Sequence, residues 1–91
     1  MVTSIILIRA DRTKINETAQ TLASVPGISE VYSVSGKYDL IAIARVNSND
    51  KLSELITDRL LKIDSILRTE TLLAFKTYSR HDLESLFSIG A

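Results

Sequence analysis

The residues best suited to bind a small molecule lie at a polar elbow between two runs of strand-forming residues, where Gly36 is followed closely by Asp39. Gly36 can adopt backbone angles that a side chain would forbid, and it leaves amide N–H groups uncovered. Asp39 supplies a fixed negative charge a few residues away. Because a small zwitterion needs both kinds of group, the elbow is the first candidate for a binding site. The two runs and the elbow together predict a β-hairpin.

Other chemistry has little support in the sequence. There are no cysteines, and the single histidine, His81, has no second imidazole or thiolate to complete a metal site, so a solvated or capping role is favoured. The carboxylates are scattered over polar positions without a recognisable nucleophile, base and orienting residue, and no glycine-rich loop is available to cradle a phosphate. We therefore predict that the protein is not an enzyme and binds no metal or cofactor.

Length and composition predict one compact α+β domain. The chain has 91 residues, of which 45% are hydrophobic and 24% are charged. Lysine plus arginine and aspartate plus glutamate each number 11, which removes the simplest electrostatic reason to bind a nucleic-acid backbone or an anionic membrane. The apolar run over residues 2–10 is too short for a membrane span and lacks the basic start of a secretory signal. We expect a cytoplasmic protein without direct contact to nucleic acid or membrane.

The hydrophobic periodicity predicts the elements that position the elbow. Strands are expected over residues 2–8, from Ile28 onwards, over 40–46 and over 66–78, and helices over 13–25 and 52–63. The two βαβ halves have similar patterns, since Val2 aligns with Leu40 and Leu22 with Leu60. This order predicts a ferredoxin-like βαββαβ fold with a four-stranded antiparallel sheet and both helices on one face. We assign residues 1–78 to this domain and 79–91 to a C-terminal tail with a short helix.

One face of the predicted sheet has no partner within the βαββαβ unit. In the third strand, Ala42 and Ala44 point to one side, while Ile41 and Ile43 point to the other. Two helices cover only one face, and the small alanines suit close helix packing. We therefore expect Ile41 and Ile43 to lie on a face where two subunits pack sheet to sheet. The alternative is that the terminal helix folds back over that face.

Several segments together resemble the ligand-binding and oligomerisation domain of the Lrp/AsnC family of transcriptional regulators, often called the RAM domain. They are residues 25–28 (Val-Pro-Gly-Ile), 36–40 (Gly-Lys-Tyr-Asp-Leu) and 69–71 (Thr-Glu-Thr), with the helix expected over 52–63. Family members usually carry a helix-turn-helix DNA-binding domain ahead of this module. Because this chain begins at the first strand, it resembles a stand-alone version. The segment 63–66 departs from the family, which commonly repeats a Pro-Gly turn there.

The resemblance implies that an amino-acid effector binds in a cleft between dimers. Transferred to this chain, Gly36 and its neighbours would offer N–H groups to the effector carboxylate, and Asp39 would receive its ammonium group. Tyr38 would form a pocket wall, and Thr69 and Thr71 would hydrogen-bond the polar end of the effector. The resemblance further implies a homo-oligomer, in which dimers assemble into a tetramer, octamer or similar ring, with full-length relatives as further partners. Transcription would then be modulated indirectly.

Three alternatives remain open at this point. A small dimeric α+β-barrel enzyme of the monooxygenase or isomerase type pairs similar sheets, but it needs a catalytic or haem-binding side chain where this chain has mainly aliphatic ones. RNA binding on the open sheet would need stacked aromatic residues. A ligand-free assembly module would use the same subunit contacts without an effector. In these cases Asp39 would only cap a turn or pair with Lys37.

Overall fold

The computed structural model describes residues 1–80, which form a four-stranded antiparallel sheet with helical segments on one side. The strands are β1 (Val2–Ala10), β2 (Ile28–Ser33), β3 (Leu40–Val46) and β4 (Ile66–Leu73). Their order in the sheet is β2-β3-β1-β4, so β1 and β3 are central. This order and the two crossovers confirm the ferredoxin-like βαββαβ fold expected from the sequence.

Two helical connections join the strands. The first consists of a 3₁₀ turn, Arg12–Lys14, followed by α1, Ile15–Ala23. The second begins with α2, Asn49–Glu54, and continues through a π-helical segment, Leu55–Arg59, into a 3₁₀ turn, Leu60–Lys62. The Ser48 hydroxyl caps α2 by accepting a hydrogen bond from the Lys51 amide at 3.2 Å. The first connection leads into β2 and the second into β4.

Several boundaries differ from the predicted ones, since β1 extends to Ala10, α1 ends at Ala23 and α2 begins at Asn49. The α-helix expected over residues 13–25 begins at Ile15, because the Asp11 carboxylate accepts from the Thr13 amide at 2.9 Å and holds the preceding turn in 3₁₀ form. The strand expected over 66–78 ends at Leu73, which is the last residue of β4 that pairs with β1, and one further bond runs from the Ala74 amide to the Thr3 carbonyl oxygen at 2.9 Å. Except for its first two residues, the tail expected over 79–91, with His81, lies outside the described residues.

The core lies between the helices and one face of the sheet. Its fully buried members include Ile6 and Ile8 from β1, Leu40, Ala42 and Ala44 from β3, and Leu22 and Leu60 from the helical connections. Two polar side chains are also buried. The Ser4 hydroxyl donates to the Leu72 carbonyl oxygen at 3.0 Å, and the Thr18 hydroxyl donates to the Lys14 carbonyl oxygen at 2.7 Å. Since each has a partner, their burial carries no desolvation penalty from unmade hydrogen bonds.

The other side of the sheet, here called the open face, carries a patch of aliphatic side chains. Ile5 of β1 lies opposite Ile43 of β3, and Leu7 lies opposite Ile41. All four are half-buried, and Leu72 of β4, opposite Ile5, is 42% exposed. The alternation of Ala42 and Ala44 with Ile41 and Ile43 therefore places the two isoleucines away from the helices, as expected from the sequence.

Candidate functional site

The elbow between β2 and β3 is a short hairpin loop with Gly36 at its tip. Ser33 and Leu40 are the last paired residues, and the Val34 amide donates to the Asp39 carbonyl oxygen at 3.0 Å. Gly36 has a φ of 120°, and a Cβ built on it would meet no atom within 4 Å. The glycine is therefore required by the backbone angle alone. The space above it is open to a ligand or to another subunit.

Asp39 ties the elbow to the end of β1. Its amide donates to the Ile8 carbonyl oxygen at 2.9 Å, and its carboxylate Oδ2 accepts from the Ala10 amide at 2.9 Å. Ala10 is only 2% exposed, so no bulk water replaces this bond easily. Asp39 thus caps a strand end, a role that sequence reasoning weighed against ligand binding. One carboxylate has room for about four acceptor bonds, and the Ala10 amide uses one of them.

Tyr38 lies beside Asp39 and reaches across β1 to β4. Its hydroxyl donates to Glu70 Oε2 at 2.5 Å. This hydrogen bond is the main reason why the pKa of the Tyr38 phenol lies above its ordinary value. Burial and the Glu70 charge raise the pKa further, whereas the charges of Arg68 and Arg9 lower it. Glu70 pairs with Leu7, so the contact is on the open-face side of the sheet. Sequence reasoning selected Tyr38 and missed its partner Glu70.

The two threonines of β4 lie on the opposite side of the sheet from Glu70. Thr69 pairs with Ile8 and Thr71 with Ile6, both of which belong to the helix-covered face. The structure therefore separates the threonines from the Tyr38 hydroxyl by the thickness of the strand. The assignment of Thr69 and Thr71 to an effector site stays a prediction.

A cleft of about 460 Å³, here called the arginine cleft, opens between the end of β1, the following turn and the start of β4. It is lined by Arg9, Ala10, Asp11, Arg12, Asp39, Leu67 and Arg68. The pairing of β1 with β4 shifts here, since Arg9 pairs with Arg68 while Ala10 pairs with Ile66. The extra residue is Leu67, which is 69% exposed. Bulges of this kind often re-aim side chains beside binding sites.

The charged side chains of the arginine cleft differ in whether they have a hydrogen-bond or ion-pair partner. Within residues 1–80 the ion pairs shorter than 4.0 Å are Arg45 with Glu30 and Lys51 with Glu54, and none involves an arginine of this cleft. Asp11 is engaged, because the Thr13 amide and hydroxyl both donate to it and lower the pKa of its carboxyl. Asp39 is the one residue of the predicted effector site in this cleft.

A second cleft, of about 500 Å³, lies between the ends of β2 and β3 and the second helical connection. Its lining includes Arg45, Lys51, Glu54, Asp58 and Arg59. Two of its three cations have carboxylate partners, since Lys51 Nζ lies 3.5 Å from Glu54 Oε2 and Arg45 is paired with Glu30 outside the cleft. It contains none of the predicted site residues, so the arginine cleft is the better candidate.

Residues 1–80 contain no cluster of three or more metal-ligating side chains of the histidine, cysteine, aspartate and glutamate types. In the same residues, every helix is too short or too polar to cross a membrane.

Comparisons with known proteins agree on one family. The model of the Lrp/AsnC ligand-binding domain matches residues 3–83. An uncharacterised helix-turn-helix transcriptional regulator of Pyrococcus horikoshii is 32% identical over 78 residues, which cover 82% of this chain and 52% of that protein. The chain therefore spans about half the length of the curated relatives it matches. Their names describe transcriptional regulators.

Solved structures support the same assignment. A protein of Thermus thermophilus superposes with a TM-score of 0.82 at 39% identity, over 88% of this chain and 100% of that chain. A transcriptional regulator of Neisseria meningitidis in complex with L-methionine superposes with a TM-score of 0.78, over 87% of this chain and 53% of that chain. At 15% identity the second likeness shows the fold alone. The strand order, the elbow and the match over residues 3–83 lead to one conclusion: the chain belongs to the family of Lrp/AsnC ligand-binding domains.

Proposed function

We propose that this chain senses a free amino acid and responds by changing the assembly of its subunits. The observation that carries the proposal is the position of the Asp39 carboxylate, which faces the arginine cleft from the elbow. One cleft thus offers an anion for an ammonium group and cations for a carboxylate. The regulator of Neisseria meningitidis that shares this fold was solved with an amino acid, L-methionine, which supports the same class of effector here.

The contacts of Asp39 are compatible both with holding the end of β1 and with binding the ammonium group of an effector. Its Oδ2 atom holds the Ala10 amide at 2.9 Å, which fixes the side chain and leaves acceptor capacity on the carboxylate. An effector ammonium group would form charge-assisted hydrogen bonds with it, worth about 1.5–3 kcal/mol each. Because the side chain is already held in place, the effector orders little of the protein when it binds.

We infer that two subunits pack through the open face, with Ile41 and Ile43 against their counterparts. Complete burial of one such side chain contributes about 1.5–3 kcal/mol, and less here because each is already half-buried. With Ile5, Leu7 and Leu72 the face supplies five aliphatic side chains. The arginine cleft opens at one end of this face. A neighbouring subunit would complete the effector site, in which Thr69 or Thr71 of one subunit would lie near Tyr38 of another.

The effect on transcription follows from linkage. An effector can shift an assembly equilibrium only through its different affinity for the two assemblies. An amino acid bound between dimers therefore favours whichever ring of dimers preserves the cleft. Curated relatives are helix-turn-helix regulators, so the chain would act on DNA through relatives of that kind with which it assembles.

Thermal unfolding in the presence of each of the twenty amino acids, combined with light scattering, tests the proposal. We expect at least one amino acid to raise Tm and to change the molar mass. The Asp39→Asn variant, which keeps an acceptor for the Ala10 amide, should lose the response. Asp58→Asn, in the second cleft, is the matched control and should retain it. A protein that is monomeric at micromolar concentration, or that no amino acid stabilises, would contradict the proposal.

A further inference from the structure

Two arginines face each other across β1 and β4 at the arginine cleft. Arg9 and Arg68 are direct partners in the antiparallel register, at the last pair before the bulge at Leu67. Directly opposed side chains on one face of a sheet have Cβ atoms about 4.5–5.5 Å apart, and like charges in this position are destabilising. Two arginine side chains that start from paired positions and line the same cleft favour an anion that binds between their guanidinium groups.

A third arginine reaches the same cleft from the turn after β1. Arg12 is exposed and lines the cleft with Arg9 and Arg68. Within the described part of the chain, no carboxylate lies within ion-pair distance of any of the three. In the second cleft, by contrast, Arg45 and Lys51 both have carboxylate partners. Arg59 of the second cleft also has no carboxylate partner, but it is a single arginine, whereas three arginines without such a partner line the arginine cleft together.

We infer that the arginine cleft binds an amino acid with two carboxylates, that is, an acidic amino acid such as L-glutamate or L-aspartate. This inference rests on the proposed function, because it assigns the ammonium group to Asp39. A neutral amino acid would bring one carboxylate to three guanidinium groups. An acidic amino acid brings two, and each can accept the paired N–H groups of a guanidinium fork.

The geometry of the cleft divides the roles between its two sides. Asp39 projects from the elbow and is anchored by the Ala10 amide, so it defines the position of the ammonium group. Arg9 and Arg68 come from adjacent strands and form one anion site, while Arg12 comes from the turn and forms the other. Asp11, the other acidic group, is turned to Thr13 and competes little for the arginines.

Calorimetric titration of the whole chain with L-glutamate, L-glutamine, L-aspartate and L-asparagine, as sodium salts where acidic and at constant ionic strength, tests the inference. Each amide matches its acid in size and differs in one charge. We expect one of the acids to bind at least about tenfold more tightly than its amide, since a hydrogen bond to a charged group is worth that much or more. Arg68→Gln should remove most of this preference, and so should Arg9→Gln.

Arg59→Gln, in the second cleft, is the matched control and should leave the preference unchanged. If neutral amino acids bind as tightly as the acids and binding still depends on Asp39, the inference is wrong and the proposed function stands. If no amino acid binds, both fail. Equal binding of inorganic phosphate would identify a general anion site and overturn the inference. So would an Arg68→Gln variant that dissociates the subunits but keeps the ligand preference, because the arginines would then serve a partner's carboxylates.

Discussion

Replacing Asp39 separates its structural role from its role toward a ligand. In Asp39→Ala, the Ala10 amide loses its acceptor while it remains 2% exposed. A buried donor left without a partner costs about 1–3 kcal/mol. In Asp39→Asn, the side-chain carbonyl oxygen can still accept from that amide, so only the charge assistance is lost, at a cost of about 1 kcal/mol or less.

Urea unfolding of both variants and of the parent chain measures these costs. For a domain of this size, a change of 1 kcal/mol in the free energy of unfolding shifts Tm by about 4–8 °C. Thermal unfolding therefore also distinguishes the alanine variant from the asparagine variant. Asp58→Ala, at an exposed position, is the control and should stay within about 0.5 kcal/mol of the parent. Equal stability of Asp39→Ala and the parent would refute the reasoning, because the Ala10 amide would then have another acceptor.

Three further predictions concern other parts of the molecule. Gly27→Ala should lower the stability measured by urea unfolding more than Gly36→Ala does. Both glycines have a positive φ, but only a Cβ on Gly27 would meet another atom, Val46 Cγ1 at 3.1 Å. Equal losses of stability in the two variants would contradict this. Ile43→Glu should keep its secondary structure, as measured by circular dichroism, and should be a monomer by light scattering. The reason is that a charge cannot be buried on the proposed dimer face without a partner. An unchanged molar mass would disprove the face-to-face dimer. Tyr38 has a raised pKa in the folded state, so its contribution to stability is complete below the unfolded pKa of about 10 and is lost as pH rises through the folded value. Tyr38→Phe should therefore flatten the fall in stability above pH 10, and an identical pH profile would argue against the hydroxyl contact.

The fold was predictable because period-two alternation is a local property. Ala42 and Ala44 alternate with Ile41 and Ile43, and this was enough to identify the helix-covered and the open face. The elbow was predictable for the same reason, because a glycine and two strand-forming runs lie next to each other in the sequence.

The arginine cleft was not predictable, because it depends on register. Arg9 meets Arg68 only because one extra residue, Leu67, is accommodated in β4, and a slip of one residue would place Arg68 on the opposite face. The position of the β4 threonines depends on register in the same way. The spacing of Thr69 and Thr71 predicts that they share one face of the sheet. Only their pairing with Ile8 and Ile6 shows that this is the helix-covered face.

The anchor between Asp39 and β1 places the proposed effector site and the proposed subunit contact on one strand. The strand whose end is held by the Asp39 carboxylate also contributes Ile5 and Leu7 to the apolar patch a few residues earlier. A ligand that displaces this carboxylate would therefore act on the same strand that we propose joins two subunits. A small displacement of β1 would then be enough for a bound metabolite to change the quaternary structure.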